Sequence, residues 1–190
     1  MIAVFGGAFN PPTIAHKAIC EHVVNHLPVR EFIFLPVSSQ YTKRSLASNF
    51  HRLAMLKAMT AGMDGVSVSP MELDDPDYLG TYQSLVRIQE SHQGRRIAFV
   101  IGADNLPKLH KWINAAGLVT EFRFIVINRD RRNLEEAIAA DPFLAAHRDA
   151  FIVLPDFDSP VSSTSFRDTF DPALVTPEVY EYVKTHQLYR

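Results

Sequence analysis

Short apolar segments recur along the chain and alternate with longer segments of helical spacing. Six apolar runs have the length of buried strands, at residues 2–5, 32–37, 66–69, 97–101, 122–127 and 151–154. Runs such as IAFVI and FRFIVI are apolar at nearly every position, which is typical of strands that are buried on both faces. Most intervening segments are long enough for crossover helices. The pattern predicts an α/β fold with a doubly wound parallel sheet, in a single domain over residues 1–190.

Residues 176–187 form a last amphipathic segment, which predicts a helix with Pro177 in its first turn. Polar, charged and turn-forming residues concentrate at 38–49, 73–80 and 128–133, which predicts exposed loops. In folds of this class, loops that follow the strands carry the chemistry, so functional residues are expected there.

Composition narrows the functional classes. The chain has 190 residues, of which 47% are apolar, enough for one domain with a substantial core. A formal net charge of −2 argues against nucleic acid or an anionic membrane as a partner. No apolar run approaches the roughly 20 residues of a membrane span, and the first residues lack the basic start of a signal peptide. The single cysteine, Cys20, forms no intrachain disulfide, and we expect a cytoplasmic protein.

The stretch GGAFNPPTIAH, residues 6–16, predicts an anion site. Gly6 and Gly7 follow the first strand, where small residues let backbone N–H groups approach a ligand. A helix that starts near Thr13 would direct its unpaired N–H groups into the same crevice, and His16 can donate to a phosphate oxygen. The dinucleotide glycine fingerprint and the Walker A loop are both absent. A tight turn with a surface histidine remains the plainer interpretation of each residue alone.

The stretch SPVSSTSFRD, residues 159–168, follows the last predicted strand and resembles a second clamp for phosphate. Ser163 is the predicted N-cap of a helix, and the hydroxyl groups, free N–H groups and Arg167 guanidinium gather at its start. An ordinary capped helix with a solvated arginine is the alternative. Two anion sites, one after the first strand and one after the last, suit a polyphosphate.

These two stretches together resemble the characteristic elements of the nucleotidylyltransferase superfamily. Segments between them are similar to those of bacterial nicotinate-nucleotide adenylyltransferases: FLPVSSQYTKRSLASNFHRLAML, GTYQSL, IGADNLPKLHKWINAAGL and FIVINR. The resemblance covers nearly the whole chain in the family's order, and it implies a Rossmann-like fold.

Adenylyl transfer is the activity that this resemblance implies. The 5′-phosphate of nicotinate mononucleotide would attack the α-phosphate of ATP, which releases pyrophosphate and forms nicotinate adenine dinucleotide. Because that phosphate is already ionised and pyrophosphate is a competent leaving group, catalysis needs positioning and charge stabilisation. No nucleophilic triad, carboxylate pair or metal-binding cluster is recognisable in the sequence. Mg²⁺ would accompany ATP without a dedicated cage of protein ligands, so no metal-binding residue is assigned.

The resemblance also assigns residues to roles. Thr13 and His16 would be catalytic, holding the ATP phosphates and stabilising the transition state. The residues that would bind ATP are Gly6, Gly7, Phe9, Asn10, Gly102, Asp104, Ser162, Ser163, Thr164 and Arg167. Those that would bind the mononucleotide are Lys43, Thr81, Tyr82, Trp112 and Arg129. Asp104 would accept ribose hydroxyl groups, Trp112 would stack on the pyridine ring, and Tyr82 with the N–H groups around Thr81 would face the pyridine carboxyl group. Without the resemblance, Trp112 would be assigned to the core.

The sequence departs from the family pattern at three positions. Thr13 stands where the family has its first histidine, and Ala15 stands in place of a glycine. A neutral hydrogen bond contributes about 1 kcal/mol, against roughly 1.5–3 kcal/mol for a charged one, so we expect slower chemistry. Gln83 stands in place of a threonine after Tyr82, which leaves the preference between a pyridine carboxylate and a carboxamide open.

Other functions remain open at this stage. A related transferase could use another phosphorylated acceptor, such as nicotinamide mononucleotide, phosphopantetheine or a lipid head group. A non-catalytic nucleotide-binding regulator would retain the fold and bind ATP without releasing pyrophosphate. Class I aminoacyl-tRNA synthetases share the histidine element, but the chain lacks their K-M-S-K-S motif and a basic composition. Assembly into a homo-oligomer is left open.

Overall fold

Six parallel strands form one sheet at the centre of the computed structural model, which describes residues 1–39, 46–128, 133–155, 157 and 159–190. The order across the sheet is β3-β2-β1-β4-β5-β6. The strands are β1 (Ile2–Gly7), β2 (Glu31–Pro36), β3 (Val66–Val68), β4 (Ile97–Gly102), β5 (Arg123–Ile127) and β6 (Phe151–Val153).

Helices occupy most of the connections between the strands. They are α1 (Ile14–His26), α2 (Asn49–Thr60), α3 (Thr81–Ser91), α4 (Ala115–Glu121), α5 (Leu134–Ala140), α6 (Pro142–Ala146), α7 (Ser163–Thr169) and α8 (Pro177–Thr185). Within the described residues, 3-10 helices lie at Ala103–Lys111, Arg148–Ala150 and Pro172–Leu174. No helix in the described part of the chain is long and apolar enough to cross a membrane.

The sheet is covered on both faces. Alternate side chains of a strand point to opposite faces, and those of β1 separate accordingly. Ile2 and Val4 belong to one buried cluster, whereas Ala3 and Phe5 belong to the other. Cys20 lies in the second cluster as a free thiol, and burial raises its pKa to about 12. The two cores explain why the strand sequences are apolar at nearly every position.

The chain reverses direction across the sheet between β3 and β4. It runs outward from β1 to β2 and β3, then returns to pair β4 with the other side of β1. The connections that follow β1 and β4 therefore leave on opposite sides, which opens a crevice at the carboxyl ends of these strands. In folds of this class, ligands bind in such a crevice.

The structure confirms the predicted fold class, and each predicted strand is present to within two residues. β1 extends through Gly6 and Gly7, because these glycines pair with Leu35 and Pro36 of β2. The predicted final helix is α8, whose N-cap Thr176 accepts a hydrogen bond from the backbone of Val179.

The loops were predicted to be exposed, but parts of them are buried. Ser38 has no exposed surface, and Leu73 and Gly80 are also buried. Each of them is adjacent in sequence to a residue that lines the crevice, namely Val37, Glu72 or Thr81.

Candidate active site

A cavity of about 540 Å³ opens at the carboxyl ends of β1 and β4. Gly6 and Gly7 of β1 line one side, and Ile101 and Gly102 of β4 line the other. We call this the switch-point cavity, because it lies where the strand order reverses. Three groups of side chains complete its walls.

His16 lies on the first wall, in the first turn of α1. Its Nδ1 accepts a hydrogen bond from the backbone N–H of Thr13 across 2.9 Å, and the Thr13 hydroxyl lies at the same distance. An Nδ1 atom that accepts from a backbone amide carries no proton, so the neutral ring bears its proton on Nε2. Phe5 and Phe9 flank the ring at centroid distances of 5.9 and 5.1 Å. His16 is therefore held as an oriented Nε2–H donor.

Thr13 is the N-cap residue of α1 and has no exposed surface. It is not among the residues that line the switch-point cavity, although the sequence predicts that it holds phosphate. Its hydroxyl lies against His16 Nδ1, because the side chain of an N-cap residue folds back over the first turn of its helix. In the structure Thr13 acts on His16.

The loop between β1 and α1 is anchored from several directions. Phe9 has a left-handed backbone with φ of 47°, and its ring forms part of the cavity wall. Asn10 is buried, and its Oδ1 accepts from the backbone N–H of Ala47 at 3.0 Å and from the hydroxyl of Tyr189 at 2.8 Å. Two segments distant in sequence therefore fix the position of this loop.

Arg52 is a buried cation that connects the loops at this edge of the sheet. Its guanidinium donates to the backbone carbonyls of Ala8, Val37 and Ala47 at 2.7–3.1 Å, and to Oδ1 of Asn49 at 2.7 Å. The carbonyl groups belong to the loops that follow β1 and β2. Arg52 has no predicted role beyond its place in a family segment, since nothing in a linear pattern marks a buried guanidinium.

The second predicted phosphate clamp is at the start of α7. Ser162 is the N-cap and accepts from the backbone N–H of Ser165 at 3.0 Å, so the prediction of Ser163 as the N-cap is wrong. The helix simply begins one residue earlier than the sequence predicts. Ser163 instead donates its hydroxyl to the carbonyl of Pro11 at 2.7 Å.

Arg167 makes a second contact between the two terminal motifs, residues 6–16 and residues 159–168. Its guanidinium donates to the carbonyl of Asn10 at 2.6 Å and to the hydroxyl of Thr164 at 3.1 Å. The structure thus brings the residues of 159–168 together with those of 6–16. None of Ser162, Ser163, Thr164 and Arg167 lines the switch-point cavity itself.

Asp104 and Trp112 lie on the second wall, beyond the carboxyl end of β4. A Cβ atom at Gly102 would collide with Oδ1 of Asp104, so the glycine lets the carboxylate fold over the strand end. The half-buried Trp112 meets Phe99 edge to face, with their ring centroids 6.1 Å apart. One wall therefore offers an exposed carboxylate and an aromatic surface.

Glu72, Tyr78 and Thr81 line the third wall. Thr81 starts α3, and its N-cap Gly80 has φ of 96°, a conformation that favours glycine. The first N–H groups of a helix have no carbonyl partner within it, so those around Thr81 are available to a ligand anion.

Tyr82 and Gln83 are not among the cavity-lining residues. The Tyr82 hydroxyl donates to Glu121 at 2.7 Å, which raises the pKa of Tyr82, and its ring packs near Phe122. Successive helical residues differ by about 100° in direction, so the step from Thr81 to Tyr82 turns the side chain away from the cavity. The structure does not bring either side chain to the position expected for contact with a pyridine carboxyl group.

Glu72 is a cavity residue that the sequence analysis missed. The residue is 5% exposed, and its Oε1 accepts a hydrogen bond from the Ser84 hydroxyl at 2.8 Å. Burial raises the pKa of Glu72 to about 7, the nearby Asp75 adds to the increase, and the Ser84 hydrogen bond opposes it. A single glutamate in a polar stretch carries no sequence signal of this burial.

Lys43 and Arg129, the two other basic residues assigned to the mononucleotide, lie outside the described residues.

The comparison with family models decides the family. Residues 4–169 match the model of the cytidylyltransferase-like family. The chain belongs to this family. The match includes both terminal motifs, 6–16 and 159–168, which the structure brings into contact.

Relatives of this cytidylyltransferase-like protein have more specific names. A probable nicotinate-nucleotide adenylyltransferase of Acholeplasma laidlawii is 27% identical over 100% of this chain and 97% of its own. One of Bacillus licheniformis is 28% identical over 99% of this chain and 97% of its own. The resemblance that the sequence predicted is confirmed.

A solved structure shares the fold. Nicotinic acid mononucleotide adenylyltransferase of Plasmodium falciparum, complexed with APC, superposes with a TM-score of 0.76 at 20% identity. The superposition covers 99% of this chain and 96% of that protein. The same protein has also been solved in complex with NaAD.

Proposed function

We propose that this cytidylyltransferase-like protein is a nicotinate-nucleotide adenylyltransferase. It transfers the adenylyl group of ATP to the phosphate of nicotinate mononucleotide, which yields nicotinate adenine dinucleotide and pyrophosphate. The observation that carries the proposal is the fixed orientation of His16, an Nε2–H donor on the wall of the switch-point cavity. The full-length similarity to nicotinate-nucleotide adenylyltransferases supports the choice of acceptor.

The reaction needs charge stabilisation more than proton transfer. A phosphate oxygen of the mononucleotide forms a bond to the α-phosphorus of ATP as the bond from that phosphorus to the β-phosphate oxygen breaks. The electron pair leaves with pyrophosphate, and no proton must move. Donors that point to where negative charge develops lower such a barrier most effectively. His16 supplies that donor through Nε2, and Thr13 holds the ring in place.

The other walls suit the two nucleosides. The Asp104 carboxylate accepts hydrogen bonds from the ribose hydroxyl groups of ATP, over the space that Gly102 leaves. Trp112 stacks on the pyridine ring, and the N–H groups around Thr81 bind the ring carboxylate. The Tyr82 side chain has no part in this arrangement.

The start of α7 contributes through the loop that it holds. Ser163 and Arg167 fix the carbonyl groups of Pro11 and Asn10, a few residues before His16. Ser162 and Thr164 flank the same helix start and remain predicted ATP ligands. Lys43 and Arg129 remain predicted phosphate ligands on the strength of the family resemblance alone.

Mg²⁺ belongs to the proposal as the partner of ATP. The ion prefers oxygen ligands and retains water, and it spreads the charge of the phosphates to which it binds. Asp104 offers an oxygen donor of the required kind on the cavity wall. The described residues contain no group of three or more histidine, cysteine, aspartate or glutamate side chains that could hold a metal. Its ligands would therefore be mainly phosphate oxygens and water.

The test is pyrophosphate release from ATP and Mg²⁺ by the purified protein. Nicotinate mononucleotide, nicotinamide mononucleotide and phosphopantetheine are offered separately. We expect turnover with nicotinate mononucleotide that is lost in His16→Ala and retained in His26→Ala, a matched change at the exposed end of the same helix. Preference for phosphopantetheine would overturn the assigned acceptor, and binding of ATP without turnover would favour the regulatory alternative.

A further inference from the structure

Glu72 lines the same cavity as the groups that we assign to the pyridine ring. Thr81 and Trp112 line the same cavity, and Ser84, one turn after Thr81 on α3, donates to Oε1 of Glu72. Within the described residues Ser84 is the hydrogen-bond partner of this carboxyl group, which leaves Oε2 for a ligand. A buried carboxyl group in the cavity that we propose for the pyridine ring can interact with the substituent of that ring.

We propose that the protonation state of Glu72 selects between a pyridine carboxylate and a pyridine carboxamide in the acceptor. The inference rests on the proposed function. A protonated Glu72 donates a hydrogen bond to a ring carboxylate, and such O–H to carboxylate bonds are short and strong. An ionised Glu72 repels that carboxylate but accepts from the N–H of a carboxamide.

The surroundings allow Glu72 to titrate near neutral pH. Burial raises the pKa of Glu72 to about 7, with a further increase from the negative charge of Asp75. The Ser84 hydrogen bond lowers the pKa, because it stabilises the ionised form. Arg87 binds Asp75 and partly neutralises it.

Other polar or titratable groups face the same space. Tyr78, Asp104 and His16 also line the switch-point cavity. Under the proposed function, Asp104 binds the ribose of ATP, which is the same with either acceptor. His16 acts on the phosphates, which are also the same in both reactions. Neither group therefore distinguishes one pyridine substituent from the other.

The proposal predicts how the ratio of two rate constants changes with pH. The ratio is kcat/KM for nicotinate mononucleotide divided by kcat/KM for nicotinamide mononucleotide. Any titration that affects both acceptors equally, such as that of the common 5′-phosphate, cancels in it. Because kcat/KM reports the free enzyme, and a group of pKa about 7 loses about nine-tenths of its protonated form between pH 6 and pH 8, kcat/KM for nicotinate mononucleotide should fall about tenfold. The ionised form favours the carboxamide, so kcat/KM for nicotinamide mononucleotide should rise, and the ratio should fall by more than about tenfold.

Glu72→Gln tests the proposal most directly. The glutamine keeps an oxygen for Ser84 and offers a permanent N–H donor, so it imitates the protonated carboxyl group. We expect the variant to hold the ratio at the value that wild type shows near pH 6, at all higher pH values. Glu90→Gln, the same change at an exposed position of α3, should retain the wild-type pH profile. A ratio that is independent of pH in wild type, or equally dependent on pH in Glu72→Gln, would overturn the proposal.

Two neighbouring variants move the transition in opposite directions. Ser84→Ala removes the hydrogen bond that lowers the pKa of Glu72, so the fall in the ratio should shift to higher pH. Asp75→Asn removes the negative charge that raises it, so the fall should shift to lower pH. Unshifted midpoints in both variants would assign the titration to another group.

Calorimetry separates this proposal from the proposed function. Binding of nicotinate mononucleotide at a pH above the Glu72 pKa should take up close to one proton, as measured in buffers of different ionisation enthalpy. Binding of nicotinamide mononucleotide, or binding to Glu72→Gln, should take up far less. Turnover of nicotinate mononucleotide without this proton uptake would overturn the role of Glu72 alone. Absence of both binding and turnover with either mononucleotide would overturn the proposed function.

Discussion

The backbone N–H of Thr13 donates to Nδ1 of His16 across 2.9 Å, which fixes the imidazole with its proton on Nε2. The same contact explains how a sequence with threonine in place of the family's first histidine keeps His16 ordered, and His16 is the histidine that we propose to be catalytic. Thr13 has no exposed surface and reaches the ring both through its amide and through its hydroxyl. Its effect on a bound phosphate is therefore indirect.

Replacement of His16 by its two amide analogues tests which ring nitrogen meets the substrate. Asparagine places an amide near the position of Nδ1, whereas glutamine places one near Nε2. We expect His16→Asn to lower kcat by roughly a hundredfold or more, as for the loss of a donor to a developing charge. His16→Gln should retain roughly tenfold more activity than asparagine, since it keeps a donor at the outer position. Equal loss in both variants would contradict the assigned orientation.

Thr13→Val removes the hydroxyl and keeps both the shape of the side chain and the backbone N–H. Because a neutral hydrogen bond contributes about 1 kcal/mol, kcat should fall about fivefold while KM for ATP changes little. Thr13→Ser, which keeps a hydroxyl, should resemble wild type. An increase in KM for ATP with unchanged kcat in Thr13→Val would show that Thr13 contacts ATP directly.

Arg52→Met tests whether the buried guanidinium holds the loops around the cavity. The change removes the Arg52 donors from three backbone carbonyls, and it leaves Oδ1 of Asn49 with the backbone N–H of Ser39 as its donor. We expect the free energy of unfolding to fall by about 3 kcal/mol or more, as measured by urea denaturation. Arg95→Met, the same change at an exposed position, should alter it by less than about 0.5 kcal/mol. Equal stability of the two variants would count against this role.

Glu72 also affects stability in a predictable direction. Its pKa is about 7 in the folded protein against an ordinary value of 4.5, so the folded protein binds the proton more tightly than the unfolded chain does. Wild type should therefore lose stability relative to Glu72→Gln as pH rises from about 4.5 to about 7, with no further change above that range. The total difference should be on the order of 3 kcal/mol. Urea denaturation of both proteins at several pH values measures it, and a constant difference would contradict the raised pKa.

The sequence predicted the sheet because burial of strands on both faces leaves a local, apolar signature. β1 to β6 were each recognisable from a few consecutive apolar positions, and so was the helix start at Thr13. These features depend on residues that are neighbours in the chain. The contact between the two terminal motifs followed from topology, since both come after strands that end at the same edge of the sheet.

The cavity's polar details were not predictable in the same way. Glu72 and Arg52 look like ordinary surface charges in sequence, and only their burial by distant segments makes them part of the site. The direction of Tyr82 depends on where α3 begins, because a shift of one residue turns a side chain by about 100°. Ser162 and Ser163 are equally suitable capping residues, and the contact of Ser163 with Pro11 decides between them.

The proposed function depends on attack of the nicotinate mononucleotide phosphate on the α-phosphorus of ATP. The most direct test uses mononucleotide whose non-bridging phosphate oxygens carry a heavy isotope, followed by mass spectrometry of the products. We expect nicotinate adenine dinucleotide to retain the label and pyrophosphate to contain none, with both products lost in His16→Ala. Release of ADP in place of pyrophosphate, or label in the pyrophosphate, would contradict it.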